Sequence, residues 1–96
     1  MIMDVFYKSA FRNFVKKQTR PFQLAIEDEI DRIKNNPSAG EIKKGDLAGF
    51  RIHKFKFHHQ QYLLAYVAHA KDMVVYMIGT HENFYRDLKQ YIKGQI

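Results

Sequence analysis

The fold turns on Phe50-Arg51-Ile52-His53-Lys54-Phe55-Lys56-Phe57, then His58-His59-Gln60, then Gln61-Tyr62-Leu63-Leu64-Ala65-Tyr66-Val67-Ala68. Phe50 to Phe57 alternates with a period of 2. Arg51, His53, Phe55 and Phe57 fall on one side and Phe50, Ile52, Lys54 and Lys56 on the other, which is the pattern of a β-strand. His58 to Gln60 is polar enough for a hairpin loop. Gln61 to Ala68 is a largely apolar strand, His69 to Asp72 reads as a second turn, and Met73 to Gly79 is a third strand, again apolar on both faces. Strands apolar on both sides belong in the middle of a sheet covered at least in part on each face.

Working toward the N-terminus, Gly45, Asp46 and Gly49 mark turns, and the period shifts to that of helices. Phe22, Ile26, Ile30 and Ile33 lie on one helical face, with Glu27, Asp28, Asp31 and Lys34 turned away. Pro21 suits the first turn of this helix, where its missing N–H has no partner to lose, and Asn35, Asn36 and Pro37 end it. Ahead of it, Phe11, Phe14 and Val15 recur at i, i+3 and i+4. A first helix is therefore predicted from Ser9, as N-cap, to about Gln18. Ile2 to Tyr7 reads as a short strand. Beyond the third strand of the central stretch, Phe84, Leu88, Tyr91 and Ile92 predict a terminal helix ending at Gly94.

The predicted order is strand, helix, helix, three antiparallel strands, helix. Such an order places a helical hairpin on one face of a mostly antiparallel sheet, an α+β fold in a single domain over residues 1–96. Phe55 and Phe57 then meet the helices. Lys54 and Lys56 face the opposite side, which is expected to be a shallow, basic cleft. The acidic run Glu27, Asp28, Glu29 and Asp31 is expected to be a solvated helix face.

Composition narrows the function classes. The chain has 96 residues, 16 Lys plus Arg, 10 Asp plus Glu and no Cys, for a formal charge of +6. Without cysteine there is no disulfide, zinc-thiolate or iron–sulfur site and no thiol nucleophile. His58 and His59 do not form a metal pair, because neighbouring strand residues point to opposite faces and no acid lies near. No run approaches the roughly 20 apolar residues of a membrane span, and Met1 to Tyr7 lacks the pattern of a signal peptide. From Glu41 to Lys71 there are six Lys and Arg against two acids, a net of +4. Such a segment releases counterions on binding a polyanion, so nucleic acid is the natural partner class.

Leu47-Ala48-Gly49-Phe50-Arg51, Lys54-Phe55-Lys56-Phe57, Tyr62-Leu63-Leu64-Ala65-Tyr66 and Gly79-Thr80-His81-Glu82-Asn83-Phe84-Tyr85 together resemble the RelE/ParE superfamily of bacterial type II toxins. The order of elements matches as well, over essentially the whole chain. The resemblance implies a cytoplasmic toxin neutralised by a cognate antitoxin that covers the sheet and the helical hairpin. In the RelE-like branch it implies a metal-independent endoribonuclease that cuts messenger RNA on the ribosome, with no cofactor and with DNA contacted only through the antitoxin complex. The ParE-like branch instead poisons DNA gyrase. A third form would be an inactive antitoxin-bound corepressor.

Lys54 and Lys56 match the Lys-x-Lys pair of RelE-like toxins. The arginine that those toxins carry on the next strand falls on Leu63, a departure that removes one phosphate ligand. Where the RelE pattern ends its last strand in arginine this chain has His81, as in YafQ-like nucleases, and Tyr85 matches the aromatic four residues on. Cutting RNA without metal needs the 2′-hydroxyl to attack the adjacent phosphate, a proton acceptor, a proton donor and cations for the charge that develops. Imidazole, whose ordinary pKa is about 6.5, suits His81 to move the protons. Lys54 and Lys56 supply fixed electrostatics. Tyr85 stacks on a base or donates a hydrogen bond. Arg51, Lys43 and Lys44 are further candidates for RNA backbone contact, although strict alternation puts Arg51 on the face away from Lys54.

Overall fold

A computed structural model describes residues 3–94. The chain runs β1 (Asp4–Tyr7), α1 (Ser9–Lys16), α2 (Arg20–Asn35), β2 (Glu41–Ile42), a 3-10 turn (Gly45–Leu47), β3 (Arg51–Phe57), β4 (Gln60–Ala68), β5 (Asp72–Thr80) and α3 (Phe84–Gly94). The strands form one five-stranded sheet in the order β1-β5-β4-β3-β2. Only β1 is parallel to its neighbour, β5; the other pairs are antiparallel. This is the expected α+β arrangement. Ile2, at the start of the predicted first strand, lies outside the described residues.

The helical hairpin follows from its apolar spacing. Phe22, Ile26, Ile30 and Ile33 of α2 and Phe11 of α1 are buried against Phe55, Leu64, Tyr66, Met73, Val75 and Ile78 of the sheet. Each such side chain contributes about 1.5–3 kcal/mol relative to exposure. Thr19 caps α2, its hydroxyl accepting the Phe22 N–H at 3.4 Å. The N-cap of α1 is Lys8, with no side-chain cap. Ser9 is already helical, and its hydroxyl instead bonds the Tyr91 hydroxyl of α3 at 2.9 Å. The acidic run is not solvated throughout. Glu29 is half-buried and its carboxylate lies 2.7 Å from the His53 ring of β3, tying α2 to the sheet.

The opposite face is not an open cleft along its length. A second core of Leu47, Phe50, Ile52, Leu63, Ala65, Phe84 and Leu88 forms where α3 and the 3-10 turn cover it. A register shift helps to fill it. Ala65 pairs with Met77 while Tyr66 pairs with Val75, so Tyr76 is an extra residue in β5. Tyr76 and Met77 therefore both serve the second core, whereas Val75 and Ile78 serve the first. A bulge of this kind lets a strand apolar on both sides supply two cores at once.

Strand β2 was not foreseen, because a two-residue strand carries no period. Tertiary contacts hold it in place. The Tyr66 hydroxyl donates to the Pro37 carbonyl at 2.6 Å and accepts the Gly40 N–H at 3.1 Å. A Cβ on Gly40 would stand 2.5 Å from that hydroxyl, so only glycine permits the approach.

Candidate active site

Cross-strand register places the predicted residues. Lys54 pairs with Leu63 and Lys56 with Gln61 across β3 and β4, and Leu63 pairs in turn with Gly79 of β5. His81 follows Thr80, the last residue of β5, at the end of the sheet that carries Lys56 and Gln61. Strands lie about 4.8 Å apart, so Lys54 and Gly79 stand roughly 10 Å apart across β4, with Leu63 between them buried beneath α3. Lys54, Lys56 and His81 are all exposed.

A tight turn follows β5. Asn83 has φ 61°, a left-handed conformation that asparagine tolerates. The Phe84 N–H reaches the His81 carbonyl at 3.3 Å. The Phe84 ring packs over Gly79, where even a Cβ would make only an ordinary contact at 3.4 Å, and is 2% exposed. With Phe84 anchored, Tyr85 sits edge-on to the His81 ring, with centroids 6.0 Å apart.

Lys43 joins this group, its ammonium 4.9 Å from the Tyr85 ring centroid. It also donates a hydrogen bond to the Glu41 carboxylate. That bond holds the Glu41 carboxyl below its usual range, with the charges of Lys43 and of Lys54 adding to the effect. The same bond holds the Lys43 ammonium above its usual range, reinforced by Tyr85. Lys54, Glu41, Lys43, Tyr85 and His81 thus form one connected array along the lip between β2, β3 and α3. Glu41 went unrecognised in the sequence. Its signal was the Glu41-x-Lys43 spacing, which puts both side chains on one face of extended chain.

Two predicted residues lie elsewhere. Arg51 points to the helix-covered face and donates to the carbonyls of Ser38 at 2.9 Å and Gly40 at 2.8 Å, so its guanidinium anchors the segment before β2. Lys44 is exposed at the start of the 3-10 turn. Leu63, where the resemblance would put an arginine, is 0% exposed in the second core. Chemically the array offers cations for a phosphate, an imidazole for proton transfer, an aromatic ring for a base and a carboxylate that orients Lys43. Among the described residues no group of three or more His, Cys, Asp or Glu side chains is arranged to hold a metal ion. Among the same residues no helix is long and apolar enough to cross a membrane.

Comparison with known proteins agrees with this architecture. The fold is similar to that of the toxin in the intact Escherichia coli RelBE toxin-antitoxin complex, with a TM-score of 0.65, 15% identity, and coverage of 83% of this chain and 98% of that one. A double mutant of E. coli toxin RelE in the free state gives a TM-score of 0.71 at 12% identity, covering 100% of this chain and 99% of that one. A YoeB/ParE toxin from Agrobacterium tumefaciens gives 0.62 at 20% identity, covering 82% and 99%. No curated protein sequence matches the chain. A family model described as the ParE-like toxin of type II bacterial toxin-antitoxin systems matches residues 5–89. With that match spanning nearly its whole length, the chain belongs to the ParE-like toxins of the RelE/ParE superfamily, the toxin half of a type II toxin-antitoxin system.

Proposed function

We propose that this toxin is a metal-independent endoribonuclease that cuts messenger RNA on the ribosome and so halts translation in the cytoplasm. What supports this reading is Lys54 and Lys56 exposed on one face of β3, with His81 at the end of β5 and Tyr85 beside the imidazole. The 2′-oxygen attacks the adjacent phosphorus and the bond to the 5′-oxygen breaks, leaving a cyclic phosphate and a 5′-hydroxyl. His81 moves the protons. Lys54 and Lys56 stabilise the charge that builds on the phosphoryl oxygens, and being fixed on a strand they need no rearrangement to do so. Glu41 holds Lys43 beside Tyr85. Tyr85 stacks on or hydrogen-bonds the nucleotide.

The partner is a cognate antitoxin. An apolar groove between α1 and α2, lined by Tyr7, Phe11, Val15, Ile26 and Ile30 with Arg12 on its rim, supports such a contact. Transcript 5′ ends mapped after induction should fall at a fixed codon position. His81→Ala should lower the cleavage rate by about 10²–10⁴-fold and abolish growth arrest while the protein stays folded. Full arrest by that variant would overturn the assignment. The buried Leu63 favours a second reading, a ParE-like toxin acting on DNA gyrase. Accumulated cleaved DNA with unchanged transcripts would select it.

A further inference from the structure

Glu41 is the one acidic residue of β2 and β3, against Arg51, Lys54 and Lys56. Register sets it among cations. Glu41 pairs with Ile52, which is buried in the second core, so its side chain lies on the α3 side of the sheet. Lys54, two residues along β3 from Ile52, lies on that same side. The Glu41 carboxylate accepts a hydrogen bond from the Lys43 ammonium, which also sits over the Tyr85 ring at 4.9 Å from its centroid. The Lys54 charge bears on the same carboxylate and helps to hold it ionised. The Lys43 side chain is 25% exposed and that of Glu41 57%, so the cation is drawn down onto the ring while the carboxylate stays in water.

The pair does little for the fold. The chain ahead of β2 is already held by the Tyr66 hydroxyl, at the Pro37 carbonyl and the Gly40 N–H, and by Arg51, at the carbonyls of Ser38 and Gly40. A lysine–carboxylate pair this open to solvent adds little to stability. Its effect on a polyanion is larger. A carboxylate beside two ammonium groups takes up the donors that a phosphate oxygen would use, because both anions accept the same charge-assisted hydrogen bonds. A phosphate therefore reaches Lys43 only by breaking its contact with Glu41, and the flexible four-carbon stem then lets the ammonium leave the Tyr85 ring.

We propose that Lys43 and Lys54 form a subsite for a backbone phosphate of single-stranded RNA, and that the Glu41 carboxylate occupies it as an internal competitor until the phosphate displaces it. The inference rests on the nuclease reading for the identity of the polyanion and adds to it a contact that opens only on binding. A strand already anchored at Lys56 presents its next phosphate at high effective concentration, whereas a free phosphate ion does not. The competitor thus favours an anchored strand over stray anions.

The test uses a fluorescently labelled 2′-O-methyl oligoribonucleotide of about 12 nucleotides, whose blocked 2′-oxygen cannot attack, and follows its anisotropy between about 50 and 200 mM salt. Glu41→Gln should bind it about two- to fivefold more tightly. Asp28→Asn, which removes the same charge from the exposed outer side of α2, should change affinity much less. Lys43→Ala should flatten the slope of log affinity against log salt by about 0.7, the share of one phosphate on a single strand. By NMR, the Lys43 ε-methylene signals, displaced by the Tyr85 ring current in the free protein, should move to ordinary lysine positions on binding. Equal effects of Glu41→Gln and Asp28→Asn, an unchanged slope in folded Lys43→Ala, or Lys43 signals that stay put in the saturated complex each overturn the subsite. Any of these results beside message cut at mapped positions leaves the nuclease reading intact. The expected pattern in a toxin that leaves transcripts whole upholds the subsite and overturns that reading alone.

Discussion

Replacing Tyr66 by Phe removes one oxygen from the centre of the molecule. That oxygen donates to the Pro37 carbonyl at 2.6 Å, accepts the Gly40 N–H at 3.1 Å, and belongs to a residue that is 0% exposed. Each such bond contributes about 0.5–1.5 kcal/mol net, and a buried N–H left without a partner costs about 1–3 kcal/mol. Pro37 is half-buried and its carbonyl can regain water, whereas Gly40 is buried. Arg51 still holds the Ser38 and Gly40 carbonyls, so the segment does not come away entirely. The expected loss is about 2–3 kcal/mol, or roughly 10–20 °C in Tm for a domain of this size. Urea unfolding followed by circular dichroism measures it, with an unchanged slope against denaturant indicating an unchanged fold.

The same substitution has a pH signature. Burial raises the Tyr66 phenol above its ordinary 10.0, against the opposing pull of the Gly40 N–H and the Arg51 charge. The unfolded chain therefore ionises first. The contribution is complete below about pH 10 and is lost as pH rises toward the folded value. The Phe variant should lack that share of the alkaline loss, while Tyr7, also raised chiefly by burial, keeps its own. A variant within about 0.5 kcal/mol of wild type, or with an identical alkaline slope, would refute the view that this hydroxyl holds residues 37–40.

Leu63→Arg should unfold the protein or cost about 3–5 kcal/mol, since the charge has no partner between Ile52, Ala65, Phe84 and Leu88; a thermal melt equal to wild type would contradict this. Glu41→Gln should free Lys43 from the Tyr85 ring, read as a shift of the Tyr85 ring signals by NMR. Because the Glu41 carboxyl is held low, its contribution is whole above the ordinary carboxylate range and is lost as pH falls through the folded value. The variant's stability should therefore depend less on pH along that acid limb. His53→Ala and Glu29→Gln, at a contact of 2.7 Å, should couple by about 1 kcal/mol in a double-mutant cycle, and zero coupling would show that the contact does not join α2 to the sheet.

Local chemistry made much of the fold legible. The period of 2 through Phe50 to Phe57 assigned both faces of β3 correctly, and the spacing of Phe22, Ile26, Ile30 and Ile33 identified the stripe that α2 buries. Pro21, Asn36 and Pro37 bounded that helix because proline and turn residues act within one or two positions of themselves. What the spacing did not reveal depended on residues distant in the chain. Ser9 has the chemistry of a cap, but Tyr91, 82 positions away, takes its hydroxyl. Glu29 looks like one of four solvated acids until β3 brings His53 beneath it. The face expected to be an open cleft is instead covered by α3 and the 3-10 turn, because only packing decides that Phe84 and Leu88 settle on Leu63.

The sequence alone therefore determined the order of elements and the two faces of the central strands, and offered candidates for proton transfer and phosphate contact, because periodicity and functional groups are properties of neighbours in the chain. Tertiary structure decided which of those residues meet. It tied Arg51 to the Ser38 and Gly40 carbonyls, brought Lys43 to Glu41 and Tyr85, and stacked Phe22, Phe57 and His58, since register and side-chain packing depend on contacts that no local window contains.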